Sequence, residues 1–306
     1  AQHHMLRGTV EDQRGRMQAA EESFRRAVRT DPKCVDCRVR LGSLFFKTGR
    51  HSQAVREYRT ALKLDGKNQD AQYLLGLVLF RQGELASARV EMERALALKP
   101  DNVDAMVNMA NICAGQRKMK DAAMYLGSAV DHNPSYLPVF RAAEKIFAQA
   151  GDIEIAGSSK TVRLLSEFML GCRKFFKDFP ASRGAFQRMI DMEPLCTAAH
   201  LKLGVLCVIS DRKTEGLKHL AEAEKLAPGD AEIQYSMGSA YYEMGNRDPK
   251  GARSPSFQKS FRHFSRAAEV SPGYADAHWG AGSALYEMGK YEEARQWLRT
   301  CILISP

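Results

Sequence analysis

Seven prolines divide this chain of 306 residues at regular intervals. They are Pro32, Pro100, Pro134, Pro194, Pro228, Pro272 and Pro306. The gaps between them are 68, 34, 60, 34, 44 and 34 residues, so a period of 34 is kept, doubled once, shortened by eight once and lengthened by ten once. A fixed period of roughly 20–50 residues is typical of a solenoid, in which each repeat buries its apolar face against its neighbours. The spacing therefore predicts a repeat architecture and favours binding over catalysis.

The second half of each period carries small residues on either side of a large one. With the proline counted as position 32, positions 20 and 27 of the first four periods hold Ala20, Ala27, Ala54, Ala61, Ala88, Ala95, Ala122 and Ala129. Position 24 between them is bulky, as in Phe24, Tyr58 and Met92. Residues seven apart lie on one face of a helix, so the pattern predicts a helix that another helix approaches closely.

Glycines mark the first half of the period. Positions 7 and 8 read Leu41-Gly42, Leu75-Gly76, Leu203-Gly204 and Met237-Gly238. Glycine within a helix costs roughly 1 kcal/mol relative to alanine, so its recurrence indicates a site too crowded for a β-carbon. Seven residues later, Gly49, Gly83, Gly245 and Gly289 are predicted to lie in a turn between two helices. Each unit is therefore predicted to be an antiparallel helix pair, and no alternating β-branched run indicates a strand.

These positions resemble the consensus of the tetratricopeptide repeat (TPR) family. The resemblance rests on Leu-Gly at positions 7 and 8, Gly at 15, Ala at 20 and 27, a large residue at 24 and Pro at 32, and it covers essentially the whole chain. It implies an all-α fold, a right-handed α-α superhelix of antiparallel helix pairs. It also implies a protein-binding scaffold without catalytic activity.

The repeat positions divide the chain into three regions. Region 1–136 is predicted to hold a half repeat, a second helix at about 17–31, followed by three full repeats. In region 137–162 the run Gly157-Ser158-Ser159 interrupts the second helix, and this region is either a degenerate repeat or a hinge between two sub-arrays. Region 163–306 is predicted to be a second sub-array. Its insertion 246–255, NRDPKGARSP, is expected to form an exposed, basic loop.

Composition limits the function and the compartment. The net charge is +9, but the basic residues are spread among acidic ones along helix surfaces, which is typical of solvated faces. An acidic protein partner or RNA remains an alternative explanation of this charge. Most of the seven cysteines fall at packing positions, which predicts a cytoplasmic or other reducing intracellular compartment. No apolar stretch is long enough to span a bilayer.

Motifs for catalysis or cofactors are missing from the sequence. Cys34-Val-Asp-Cys37 has the spacing of a metal knuckle or a redox pair, but no second pair exists. Because Cys37 takes the place of Ala71 and Ala105 in the following repeats, we interpret it as a packing residue. There is no phosphate-binding loop, dinucleotide fingerprint or zinc-protease motif. The sequence therefore predicts no enzymatic activity, no metal and no cofactor.

The resemblance implies that positions 2, 5, 9 and 12 of each first helix face a concave groove. The predicted groove residues are Phe46, Tyr73, Leu77, Phe80, Asn111, Arg141, Lys145, Tyr235, Tyr242, Trp279 and Tyr286. Aromatic side chains dominate binding hot spots, so these residues predict a protein-binding groove.

The predicted ligand is an extended or amphipathic-helical segment of a partner, within a multiprotein assembly. Family members that bind chaperones hold a terminal carboxylate with Lys and Asn, whereas this chain has residues such as Asp36, Val39 and Ser43 there. A chaperone C-terminal tail is therefore not expected. The alternative function is an RNA-binding helical repeat, but the groove positions show no periodic polar code for reading bases.

Overall fold

The computed structural model describes residues 1–150 and 159–305, and this part of the chain forms seventeen α-helices and no strand. The helices are α1 (Gln2–Gln13), α2 (Met17–Thr30), α3 (Val35–Lys47), α4 (His51–Leu64), α5 (Gln69–Arg81), α6 (Leu85–Leu98), α7 (Val103–Gly115), α8 (Met119–His132), α9 (Leu137–Ala150), α10 (Ser159–Lys174), α11 (Phe179–Met192), α12 (Thr197–Ile209), α13 (Lys213–Leu226), α14 (Ala231–Asn246), α15 (Pro255–Val270), α16 (Ala275–Glu287) and α17 (Tyr291–Ile304). A single 3₁₀ turn lies at Gly251–Arg253. The predicted all-α architecture of paired helices is confirmed.

Local sequence sets the helix ends. Asn68 and Asn102 precede first helices, and each side-chain oxygen accepts a hydrogen bond from the amide three residues later, at 2.9 and 3.0 Å. Between the helices of a pair, Gly49, Gly83 and Gly289 adopt φ values of 75, 80 and 76°, which an L side chain rarely adopts. The turns predicted at these three glycines are confirmed.

The core of each pair is the small-large-small stripe seen in the sequence. In the first pairs, Ala20, Ala27, Ala54 and Ala61 are completely buried around Phe24 and Tyr58. A β-carbon added to Gly42 would lie 2.7 Å from a ring carbon of Tyr58. The predicted crowding at position 8 is therefore confirmed, and it explains why glycine recurs there.

The N-terminal half repeat expected from the sequence is wrong. Helix α1 precedes α2 and packs against it, so the chain before Pro32 forms a complete helix pair. Gly8 on α1 contacts Phe24 as Gly42 contacts Tyr58, and a β-carbon there would lie 2.6 Å from the ring.

The insertion differs from its prediction in where it begins. Gly245 lies inside α14, not in a turn, and a β-carbon there would lie 2.7 Å from the ring of Phe257 on α15. Both α14 and α15 have 16 residues, against 14 or fewer in most other helices. The connecting residues are largely exposed, but Ser254 is buried and its hydroxyl accepts a bond from Ser256 N at 3.2 Å. Part of the insertion therefore lengthens the helix pair, and the rest forms the exposed loop.

The chain divides into two compact units. The first contains Ala1–Asn133 and α9 from Arg141 onward; the second contains Pro134–Phe140 and continues from Ser159 through α17. Helix α9 is the first helix of the irregular region 137–162. Gly157 and Ser158, predicted to interrupt the second helix, lie outside the described residues, and Ser159 begins α10. The hinge and the boundaries of the three regions therefore stay predictions.

Candidate functional site

The first helices of neighbouring pairs form a distinct face in each unit. Helices α1, α3, α5 and α7 contact one another in sequence in the first unit, as α12, α14 and α16 do in the second. Second helices instead pack on the first helices before and after them. Because the first helices approach one another more closely, they form the inner side of each stack. We call these surfaces the first-helix face of unit 1 and the first-helix face of unit 2.

A cavity of about 460 Å³ opens on the first-helix face of unit 1. Its lining comes from three successive first helices and one ring of a second helix: Thr9, Asp12, Phe24, Asp36, Val39, Arg40, Ser43, Asp70 and Leu74. Four of these residues, Asp36, Val39, Ser43 and Asp70, stand at the positions expected to face the groove. The cavity therefore combines carboxylates with aliphatic side chains.

Four of the remaining lining residues were not predicted from the sequence, for two reasons. Thr9 and Asp12 belong to α1, which the sequence analysis did not recognise, although Gly8 precedes Gly42 by one period of 34 residues. Arg40 and Leu74 stand at position 6, which the family pattern does not place in the groove.

Asn108 of α7 and Tyr73 of α5 connect two neighbouring first helices. Asn108 Nδ2 donates to the Tyr73 hydroxyl at 3.0 Å and to Asp104 O at 2.9 Å. Burial raises the pKa of Tyr73, which is half-buried. Asn111 is also half-buried, and its amide donates to Val107 O at 3.0 Å. Tyr73 therefore has a packing role as well as its place on the face.

The other predicted residues of this unit keep part of their surface accessible. Phe46, Leu77 and Phe80 are half-buried, and the Phe46 ring centroid lies 5.6 Å from that of His51. On α9, Arg141 is half-buried and Lys145 is exposed.

In unit 2, Tyr235 and Tyr242 pack mainly within the stack. The Tyr235 ring lies 5.4 Å from that of Phe264 and 5.2 Å from that of Tyr274. Tyr242 meets the Phe257 ring edge-on at 5.7 Å, and its hydroxyl lies 3.4 Å from Glu287 Oε1. Both tyrosines are half-buried.

Trp279 and Tyr286 on α16 are the accessible aromatics of this face. Trp279 is 54% exposed and Tyr286 is 59% exposed. Tyr286 contacts Tyr291 edge-on, with ring centroids 5.2 Å apart. The four aromatics predicted in this unit therefore divide into two packing residues and two surface residues.

Cys37, which the sequence predicts to be a packing residue, is buried and also forms a disulfide that the sequence did not predict. The disulfide joins Cys37 to Cys34 at the start of α3, where Cys34 is half-buried. The remaining five cysteines form no disulfide: Cys113, Cys172, Cys196, Cys207 and Cys301. The predicted reducing compartment therefore rests on those five residues alone.

Two further properties concern the described part of the chain. No group of three or more His, Cys, Asp or Glu side chains in residues 1–150 and 159–305 could hold a metal ion. None of the described helices combines the length and the apolar character needed to cross a membrane.

The paired helices, the buried alanine stripe and the glycine contacts define a class, the helical-repeat solenoids. The tetratricopeptide repeat family model matches residues 1–33, 39–102, 177–231 and 256–301, which together make up more than half of the chain. The chain therefore belongs to the tetratricopeptide repeat family, whose members are generally non-catalytic interaction scaffolds.

Solved structures with similar folds include several repeat proteins. A tetratricopeptide repeat protein from Parabacteroides merdae is 13% identical to this chain, and the alignment covers 98% of each chain with a TM-score of 0.46. MamA is 17% identical over 55% of this chain and 94% of its own, with a TM-score of 0.46. PilF of Pseudomonas aeruginosa is 18% identical over 76% of this chain and 94% of its own, with a TM-score of 0.47. A comparison with curated proteins gave no match.

Proposed function

We propose that this protein is a non-enzymatic scaffold that binds a peptide or helical segment of another protein on its first-helix faces, as an adaptor in a multiprotein assembly. The observation that carries the proposal is the cavity of about 460 Å³ on the first-helix face of unit 1. It lies where successive repeats each contribute side chains, so a ligand that follows the stack can contact several repeats at once.

The lining of the cavity favours a particular chemistry of the ligand. Val39 and Leu74 offer aliphatic surface, while Asp36 and Asp70 are exposed carboxylates one repeat apart. A segment with an aliphatic anchor flanked by Lys or Arg would bury the first kind of surface and pair with the second. Arg40, which also lines the cavity, adds a hydrogen-bond donor for a backbone carbonyl or an acidic side chain.

The first-helix face of unit 2 supports the same function with different chemistry. Trp279 and Tyr286 present large aromatic surface to solvent on one helix. Aromatic side chains of this size gain contact area with few torsions to order, which is why they are frequent binding anchors. Tyr235 and Tyr242 pack within the same stack of helices.

RNA binding is the weaker alternative for this chain. The cavity of unit 1 is bordered by Asp12, Asp36 and Asp70, and carboxylates repel a phosphate backbone. A ligand that neutralises several phosphates would also give a steep dependence of affinity on salt concentration. For a protein segment held by one or two ion pairs and an aliphatic anchor, the affinity would depend only weakly on salt concentration.

A photo-crosslinking experiment tests the proposal at residue level. A photoreactive amino acid at position 39 should capture a protein segment from the native extract, and the same group at the exposed position 87 on α6 should not. The captured segment is then synthesised and its affinity measured at several salt concentrations. Asp36→Lys with Asp70→Lys should weaken binding by about tenfold or more, whereas Asp101→Lys, in an exposed turn, should change it less than twofold.

The proposal would be overturned if crosslinks formed equally at positions 39 and 87. It would also be overturned if the charge reversals left the affinity unchanged, or if nucleic acid were the captured molecule.

A further inference from the structure

The disulfide between Cys34 and Cys37 lies at the junction of two repeats. Cys34 caps the N-terminus of α3, and Cys37 lies in the first turn of that helix, with their Cα atoms 5.4 Å apart. The amide of Cys37 donates a hydrogen bond to the sulfur of Cys34 at 3.2 Å. Cys34 keeps solvent access, whereas Cys37 is fully buried. The two cysteines of the pair therefore differ sharply in exposure.

The next two repeats of the chain show that this turn does not need a disulfide. At the positions of Cys34 and Cys37, the next two repeats carry Asn68 with Ala71 and Asn102 with Ala105. In both, the asparagine oxygen accepts the bond that the Cys34 sulfur accepts here. The same cap forms with an ordinary Asn–Ala pair, so the two cysteines supply a chemistry that the fold itself does not require.

We propose that Cys34 and Cys37 form a reversible dithiol–disulfide exchange site for a small thiol such as glutathione. The thiolate of the incoming molecule attacks the sulfur of Cys34, forming a mixed disulfide, while the sulfur of Cys37 leaves as a thiolate and takes up a proton. A second small thiolate then attacks the small-molecule sulfur of the mixed disulfide. It releases the oxidised small-molecule disulfide and the thiolate of Cys34.

Accessibility assigns the roles of the two sulfurs. An incoming thiolate reaches the half-buried Cys34 but not the fully buried Cys37. In the reduced protein, the amide of Cys37 and the N-terminal end of α3 face the sulfur of Cys34 and stabilise its thiolate. In the reverse reaction, Cys34 therefore attacks the oxidised small molecule, and Cys37 then resolves the mixed disulfide.

Other cysteines of the chain provide an internal comparison. Cys113, Cys196 and Cys207 are buried, and burial raises the pKa of each thiol, that of Cys196 to about 11. Such thiols carry almost no thiolate at neutral pH and react slowly. Exchange at these three buried thiols should therefore be slow in the folded protein, in contrast to the Cys34–Cys37 pair.

Equilibration of the full chain in glutathione buffers of graded ratio tests the proposal. After an acid quench and alkylation, mass spectrometry should show Cys34 and Cys37 changing together between disulfide and thiols, while Cys113, Cys196 and Cys207 stay thiols throughout. In the reduced protein, iodoacetamide should modify Cys34 about tenfold faster than the half-buried Cys172.

Variants that carry the residues of the next two repeats separate the two roles. Cys37→Ala leaves Cys34 without its resolving partner, so oxidised glutathione should leave a stable adduct on Cys34. Cys34→Asn leaves only the buried Cys37, which should form none. The double variant Cys34→Asn with Cys37→Ala should unfold within a few degrees of the wild type, because the Asn68–Ala71 turn uses the same residues.

Three results would overturn the proposal. The pair could resist reduction until the protein unfolds, as expected for a purely structural disulfide. It could remain as two thiols in fully oxidised glutathione. In the single variants, the adduct could form on Cys37 and not on Cys34.

Discussion

His200 on α12 and His219 on α13 face each other with their Nδ1 atoms 3.2 Å apart. His200 Nε2 lies 3.0 Å from Pro194 O and must donate to that carbonyl, so Nδ1 of the neutral ring accepts from His219. The residues that correspond to His200 and His219 in other helix pairs make similar contacts. Arg38 donates to Glu57 at 3.1 Å and to Pro32 O at 2.9 Å, and His278 lies 3.0 Å from Pro272 O. Arg38 and His200 therefore each tie a first helix both to its partner helix and to the preceding turn.

The histidine pair predicts a loss of stability below about pH 6.5. Burial, followed by the charge of His200, lowers the pKa of His219 in the folded protein, and burial does the same for His263. The unfolded chain therefore binds more protons as the pH falls below the ordinary histidine value of about 6.5. Stability is fully present above this pH and decreases below it. Arg183 adds to the lowering at His219, while Glu215 and Glu222 oppose it.

Urea unfolding between pH 7.5 and pH 5 measures this loss. Replacing the pair by the residues of the third repeat, His200→Gln with His219→Glu as in Gln72 and Glu91, should reduce the slope, because neither new group binds protons in most of this range. An unchanged slope in this variant would show that the pair does not control the acid response.

Gly204→Ala is expected to destabilise the protein by about 1–3 kcal/mol. A β-carbon at this position would lie 2.8 Å from Leu220 Cγ and 3.0 Å from the backbone oxygen of Gly216, so α12 and α13 would have to separate. Gly229→Ala is the matched control, since nothing lies within 4 Å of a β-carbon there. The free energy of unfolding in urea should change by less than about 0.5 kcal/mol in the control. Equal effects of the two substitutions would contradict the close approach.

Trp279→Ala and Tyr235→Ala should affect different properties, partner binding and folding stability respectively. Trp279 is exposed, so its removal should leave the unfolding free energy within about 0.5 kcal/mol and weaken partner binding by about tenfold or more. Tyr235 packs between Phe264 and Tyr274, so its removal should lower stability by about 2–4 kcal/mol. Thermal unfolding and binding measured on the same samples distinguish the two effects. A Trp279 variant that binds normally would remove this residue from the proposed site.

Phe257→Ala should cost about 3–5 kcal/mol of stability, because this ring is buried against Gly245 and Tyr242 in the lengthened part of the helix pair. Replacing Asp248–Ala252 by two glycines should change stability by less than about 1 kcal/mol, since these residues lie mostly in solvent. Calorimetry of both variants measures the difference. A large loss on shortening the loop would mean that it is a packed element.

The repeat fold could be predicted from the sequence because its determinants recur at fixed spacing. Ala54 and Ala88, or Gly42 and Gly76, show the same residue at the same position, so the pattern reveals the contact. The contacts of Arg38 with Glu57 and of His200 with His219 use the same positions with unrelated residues, and only coordinates relate them. Nor could the spacing of Cys34 and Cys37 alone distinguish a disulfide from two packing residues.

The candidate site could be predicted only in part, for the same reason. The family pattern indicates which positions of a first helix face inward. Asp36, Val39, Ser43 and Asp70 stand at such positions and line the cavity, whereas none of the eleven predicted groove residues lines it. The pattern does not indicate how deeply each aromatic is packed. That depth depends on the neighbouring repeat, as the contrast between Tyr235 and Trp279 shows.

The lengthened pair of α14 and α15 shows how this architecture accommodates extra residues. The added turn lies at the end where the two helices connect, and there Gly245 of α14 packs against Phe257 of α15. Helix α14 still packs on α13, and α15 still packs on α16. New sequence can therefore be introduced at a closed hairpin end without disturbing the junctions between repeats. This makes the loop at Asp248–Ala252 a natural attachment point for a reporter peptide or a second binding module.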